Sequence, residues 1–168
     1  MSNLKIWNEV KQPPSDALKA IGGGRLKGMT DIKPQWRFKA MTELFGPCGT
    51  GWKYEVVTMR EIPCSTGEVM ALVDINLFFK EDDKWSDAIP GTGGSMLVAQ
   101  ESKGLHVSDE AFKMATTDAL STAMKYLGVA ADIYMGMWDG SKYKEPQQDH
   151  RFKPGEKDEI YTQVRQAL

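Results

Sequence analysis

Between residues 68 and 80 every odd position from Val69 to Phe79 is apolar (Val69, Ala71, Val73, Ile75, Leu77, Phe79), while Asp74, Asn76 and Lys80 fall on the even side. A period of two over that length predicts a strand with one buried and one wetter face. Residues 52–61 alternate similarly, with Trp52, Tyr54 and Val56 on one face and Lys53 and Glu55 on the other, and predict a second strand. Glu81-Asp82-Asp83-Lys84 turns the chain, and Gly91, Gly93 and Gly94 precede a third strand over 95–100. Three sequential strands with turn-rich joints predict an antiparallel meander.

The helical period takes over after Ser108-Asp109-Glu110, where Ser108 is the expected cap and the two acids suit the positive end of the dipole. Ala111, Ala115, Ala119 and Ala123 stand four apart, a ridge of small side chains that lets a helix lie close to a sheet. Phe112, Leu120, Met124 and Leu127 fill its flanks and Gly128 stops it. An earlier helix is marked by Asp31 and Pro34 at its start and Gly46 at its end; Trp36, Met41, Leu44 and Phe45 recur as its core side, leaving Arg37 and Lys39 on a basic face. Before it, Ser15 or Asp16 caps a short helix over 17–21, Gly22-Gly23-Gly24 interrupts the chain, and a short strand follows over 25–30. An apolar stretch over 129–135 and a turn at Trp138-Asp139-Gly140 lead to a polar linker and a small helix over 156–168. The expected fold is α+β: a three-stranded antiparallel meander packed by one long helix, preceded by short helices. Residues 1–144 form the domain, and 145–168 the linker and terminal helix.

The 168 residues, 41% apolar and 26% charged, suit one globular domain and exclude collagen-like or wholly disordered chains. No run approaches the roughly 18 apolar residues of a membrane span, and the first residues lack a signal-peptide core, so a soluble cytoplasmic protein is expected. Cys48 and Cys64 alone make neither a disulfide framework nor a zinc site. Charge is divided unevenly: residues 1–60 carry +5 and residues 61–168 carry −7. The basic excess is densest where Lys19, Arg25, Lys27, Lys33, Arg37 and Lys39 face one acid, Asp31. A polyanion partner and a merely solvated basic surface both fit this segment.

Catalytic constellations are sparse. His106 and His150 have no Cys, His or carboxylate at ligand spacing, no Gly-x-Ser-x-Gly turn exists, and the glycine triplet is not followed by the Lys-Ser/Thr of a phosphate-binding loop. Glu101-Ser102-Lys103 with Asp74 or Asp87 upstream is the one arrangement a Mg²⁺-dependent nuclease would need. No catalytic residue, metal or cofactor is expected.

Several local motifs, in order, resemble the Rad-fifty-two superfamily of single-strand annealing proteins, especially the short phage-encoded Sak-type members. They are Lys19-Ala20-Ile21-Gly22-Gly23-Gly24, then Ala40-Met41-Thr42-Glu43-Leu44-Phe45-Gly46 followed by Gly51-Trp52, then Thr117-Asp118-Ala119-Leu120 and Met124-Lys125-Tyr126-Leu127-Gly128. The resemblance runs from Lys19 to Tyr143, about three quarters of the chain. The resemblance implies a β-β-β-α core, closed oligomeric rings, and a groove holding single-stranded DNA by its backbone. It implies annealing of complementary strands in phage recombination and DNA repair, with an exonuclease and a single-strand binding protein as candidate further partners. Lys19, before the triplet, and Lys125, on the long helix, match basic positions of the family. Ser121 and Thr122 stand where its best-known eukaryotic members carry two adjacent basic residues. Arg25 and Lys27 join the expected DNA-binding set by charge and position, as does Arg37 through the basic face of its helix. Trp36, Phe38 and Tyr54 are candidate stacking surfaces, although for Trp36 and Tyr54 core packing is the favoured reading. A DNA-protecting module that does not anneal, and the Mg²⁺-dependent nuclease, are the alternative functions.

Overall fold

A thirteen-residue strand, β4 (Val69–Glu81), lies at the centre of the molecule because its odd positions are apolar: Ala71, Val73, Ile75 and Leu77 are almost wholly buried. The computed structural model describes residues 3–22 and 27–137. β4 pairs antiparallel on one side with β3 (Trp52–Pro63) and on the other with β6 (Ile89–Glu101), which pairs in turn with β7 (Gly104–Val107). A two-residue strand, β5 (Lys84–Trp85), adds to β4 across the turn at Asp82 and Asp83. The class is α+β with an antiparallel sheet, but the sheet has five strands rather than three. β7 escaped the sequence reading because Ser102 and Lys103 make a tight hairpin turn and only four residues follow.

One layer of helix covers one face of this sheet. The long helix, α3 (Ala111–Lys125), lies across β4 and β6, and all four ridge alanines are completely buried. β6 begins six residues before the predicted strand and takes the glycines inside it. The reason is steric: a Cβ on Gly91 would run into the Ala119 carbonyl and the Ala123 methyl, and one on Gly93 would run into the backbone of Ala115 and Ala119. Asp118 adds a direct tie, its Oδ2 accepting the Gly94 N–H at 3.1 Å. Ser108 is not the N-cap of α3; it accepts the N–H of Glu110, which takes that position. At the other end Gly128 (φ 88°) donates to Lys125 and Val129 to Met124, the paired bonds that close a helix on a left-handed residue.

The N-terminal third differs more from expectation. A helix absent from the sequence reading, α1 (Lys5–Val10), carries Trp7, which packs on Gly128 so closely that no side chain fits there. Six residues are too few to reveal a period; α1 is held from outside by Ala130 N–H on the Val10 carbonyl and Asp132 N–H on that of Lys11. The helix expected over 17–21 is instead a 3-10 turn (Ser15–Ala17) running into β1 (Leu18–Ala20), since these residues pair with β2 (Thr30–Ile32). Cross-strand bonding here overrides a local capping signal. β2 also lies later than the strand expected over 25–30 and includes Asp31, so the next helix, α2 (Pro34–Phe45), starts at Pro34 and stops at Gly46. A short helix, α4 (Ala131–Tyr134), follows α3.

The chain divides into the units Met1–Gly136 and Met137–Leu168, the first holding all these elements. The turn at 138–140, the linker from 145 and the helix over 156–168 lie outside the described residues.

The fit of α3 on β6 predicts that Gly93→Ala destabilises the protein by about 3 kcal/mol, since backbone rather than a movable side chain is in the way. Gly94→Ala, whose Cβ would meet the flexible tips of Leu72 and Met70 first, should cost under about 1 kcal/mol. Urea unfolding of both variants checks the contrast.

Candidate nucleic-acid interface

The four described residues of the predicted DNA-binding set, Lys19, Lys27, Arg37 and Lys125, fall on two elements and on a strut between them. Lys19 sits exposed on β1, directly across the ladder from Asp31. The hairpin extends one step beyond β1 and β2, through Ile21 N–H to the Met29 carbonyl, and its loop carries Lys27, also exposed. Arg25, with Gly23 and Gly24, lies outside the described residues. Lys125 is exposed on the last turn of α3, where the helix dipole favours a cation.

Arg37 is not on an open basic face. It is only 7% exposed, because it stands one helical turn before Met41, the residue at which α2 enters the core. Its Nη1 donates to the Ile32 carbonyl at 2.9 Å and its Nη2 to the Tyr134 hydroxyl at 3.0 Å. The Lys125 ammonium in turn lies 4.4 Å from the centroid of the Tyr134 ring. Two predicted residues, Arg37 and Lys125, thus meet through a tyrosine that the sequence reading passed over. The sequence reading finds only an apolar stretch over 129–135, in which Asp132 and the Tyr134 phenol are the polar groups.

Ser121 is buried, its hydroxyl donating to the Thr117 carbonyl, and Thr122 is half-buried. Of the two positions at which the resembled family carries adjacent cations, one is therefore buried and the other half-buried in this chain. Lys39, in contrast, is exposed and pairs with Glu43 one turn on. Among the stacking candidates, Phe38 stacks on Trp52 at 6.1 Å and Trp36 is half-buried against the core, whereas Tyr54 is exposed on β3.

Two other places collect cations and aromatics, and in both part of the charge is already paired. A groove of about 680 Å³ between the 3-10 turn and α2 is walled by Trp36 and Phe38. Its lysines are engaged, Lys33 Nζ with the Asp16 carbonyl and Lys39 with Glu43. At the β3–β5 corner, Lys53 lies 5.0 Å from the Phe78 ring and 5.2 Å from Trp85, and Lys80 lies 5.3 Å from Trp85. There Lys53 pairs with Glu55, and the adjoining turn carries Glu81, Asp82 and Asp83.

The carboxylates of the nuclease alternative do not converge. Asp74 pairs across the sheet with Thr92, and Glu101 lies nine positions further along β6, roughly 30 Å of strand. Asp87 precedes β6 and is farther still. Asp74 is instead the hub of a network on the open face of the sheet. Hydrogen bonds from the Thr58 and Thr92 hydroxyls, at 2.6 and 2.7 Å, and from Arg60, at 2.6 Å, hold its carboxyl at about 2, below the usual value of 3.8. Glu68 is lowered too, by the Gln100 N–H and the Thr66 hydroxyl. Among the described residues no three His, Cys, Asp or Glu side chains gather as metal ligands, and no helix is long and apolar enough to cross a membrane.

No protein-family model and no curated protein matches the chain.

The depressed Asp74 value carries a stability term present above about pH 3.8 and lost as pH falls towards 2. Asp74→Asn should therefore be less stable than wild type at neutral pH and lose less stability between pH 5 and pH 2. Thermal melts across that range test this; parallel losses in the two proteins would refute it.

Proposed function

We propose that the chain is a single-strand annealing protein of the Rad-fifty-two type, acting in phage-type recombination and DNA repair. The observation that carries this reading is the pairing of two exposed basic elements, the β1–β2 hairpin with Lys19 and Lys27 and the end of α3 with Lys125, through one buried arginine. Annealing itself asks for no catalytic group. Base pairing supplies roughly 1.4 kcal/mol per step, and the protein has to neutralise phosphates while leaving bases free to test register.

A ring of identical subunits completes the reading. One basic hairpin and one helix end neutralise few phosphates, so a lone 18.8 kDa domain binds weakly at physiological salt. Repetition makes every later contact intramolecular. The sheet has suitable borders for head-to-tail growth. β3 is a twelve-residue edge strand with Tyr54, Val56, Val57 and Met59 exposed, and at the far edge Leu105 and Val107 of β7 are exposed as well. Two different open edges of this kind, left bare, invite association.

Labelled complementary oligonucleotides should pair faster with the protein than without it, in the presence of chelator and without ATP. An absolute need for nucleotide or Mg²⁺ would sink the proposal, and protection without faster pairing would favour the simple binding module. Lys19→Ala, Lys27→Ala and Lys125→Ala should each lower the salt slope by about 0.7 and affinity about fourfold at 0.15 M salt, with Lys84→Ala as the unaffected control.

Light scattering should give a multiple of the 18.8 kDa protomer, reduced to the protomer by the double change Val57→Lys, Met59→Lys. A monomer with and without a long oligonucleotide would rule the ring out.

A further inference from the structure

An arginine that is only 7% exposed normally has a carboxylate beside it, because removing its charge from water is costly. Among the described residues no carboxylate lies within ion-pairing distance of Arg37. Its partners are two neutral oxygens from parts of the chain far apart in sequence: the Ile32 carbonyl at the end of β2 and the Tyr134 hydroxyl in α4. The planar fork of arginine can reach two such acceptors at once, which the single ammonium of a lysine does less well. The contact then continues, since the ring whose hydroxyl Arg37 holds is the ring that carries the Lys125 ammonium at 4.4 Å.

We propose that Arg37 and Tyr134 are positioning residues which lock the β1–β2 hairpin and the Lys125 ammonium into one frame, so that both meet the phosphates of the same single strand. This rests on the DNA-binding reading and adds two residues and a division of labour to it. Lys19, Lys27 and Lys125 touch phosphate; Arg37 and Tyr134 touch none. The frame is needed because each cation is otherwise loosely held. Lys19 and Lys27 stand on a hairpin whose strands have three residues each, and Lys125 has four rotatable bonds. Holding them in place beforehand removes ordering that binding would otherwise have to supply. The buried guanidinium also leaves its positive charge without a counter-ion between the two elements, which strengthens the local field for a polyanion.

Two measurements on the full chain separate this proposal from the reading it rests on. The first needs no DNA. With lysines dimethylated using ¹³C-formaldehyde, the Lys125 signal, identified by its loss in Lys125→Ala, should be displaced upfield by the tyrosine ring. Tyr134→Leu should return it to the position of a free lysine, and Arg37→Lys should return it part of the way. The second is titration with fluorescent oligothymidine across a range of salt. Lys125→Ala and Tyr134→Leu should each lower affinity about fourfold at 0.15 M salt with a slope reduced by about 0.7, and the double variant should be no weaker than Lys125→Ala alone. An unshifted Lys125 signal in the wild type overturns the positioning role. So do fully additive losses, or a Tyr134→Leu variant that binds as wild type while Lys125→Ala is weakened. Unchanged binding by Lys125→Ala, with the ring shift intact, instead refutes the DNA-binding reading. Tyr134→Phe keeps the ring while removing the acceptor for Arg37, and should give an intermediate shift in a folded protein.

Discussion

The closeness of α3 to β6 governs the rest of the molecule. Ala115, Ala119 and Ala123 on the helix meet a strand that has glycine at the two facing positions, Gly91 and Gly93, so the helix backbone lies almost on the sheet. The density of a protein interior leaves little room for that distance to vary. With the helix so placed, Ala71, Val73, Ile75 and Leu77 of β4 find their cover, and Asp118 reaches the Gly94 N–H. The C-terminal end of α3 is fixed as well, and with it the point at which Lys125 stands and from which α4 returns Tyr134 beneath it. The same placement has a cost at the border. Because α3 lies over β4 and β6, the helix-side positions of β3 beyond Trp52 are uncovered, and Tyr54, Val56 and Met59 remain exposed.

Two polar networks divide the remaining work. On the open face, Asp74 gathers Thr58 from β3 and Thr92 from β6, next to the place where β3 slips register between Val56 and Thr58. A carboxylate held by three donors fixes that register and tolerates partial solvent contact. Behind the hairpin, Arg37 joins β2 to α4 with neutral acceptors only. The first network is local to neighbouring strands and aligns them. The second spans 97 residues of sequence and sets two surface elements against each other.

The period-two pattern of β4, the alanine ridge of α3, the stops at Gly46 and Gly128 and the start at Pro34 were all legible in the chain. Each rests on repetition or on a residue with one conformational use, and each element is long enough for that signal to rise above chance. The short pieces were not legible. α1, β1, β2 and β7 have between three and six residues, too few for a period, and they exist because another segment offers hydrogen bonds or a packing surface. The glycines of β6 read as a loop for the same reason, since only the helix above them turns a weak strand sequence into a strand.

The basic segment divides in the same manner. Its charge excess, and the candidacy of Lys19, Lys27 and Lys125, follow from residue type and position alone, because charge is a property each residue carries into any fold. Which cations face water is decided by packing. Arg37 turned inward with Met41, Ser121 became buried and Thr122 half-buried, and Tyr134 became the link between two cations only when α4 folded back on α3. Periodicity and charge are local and survive in one dimension; burial and pairing depend on what arrives from elsewhere in the chain, and only the tertiary structure brings it there.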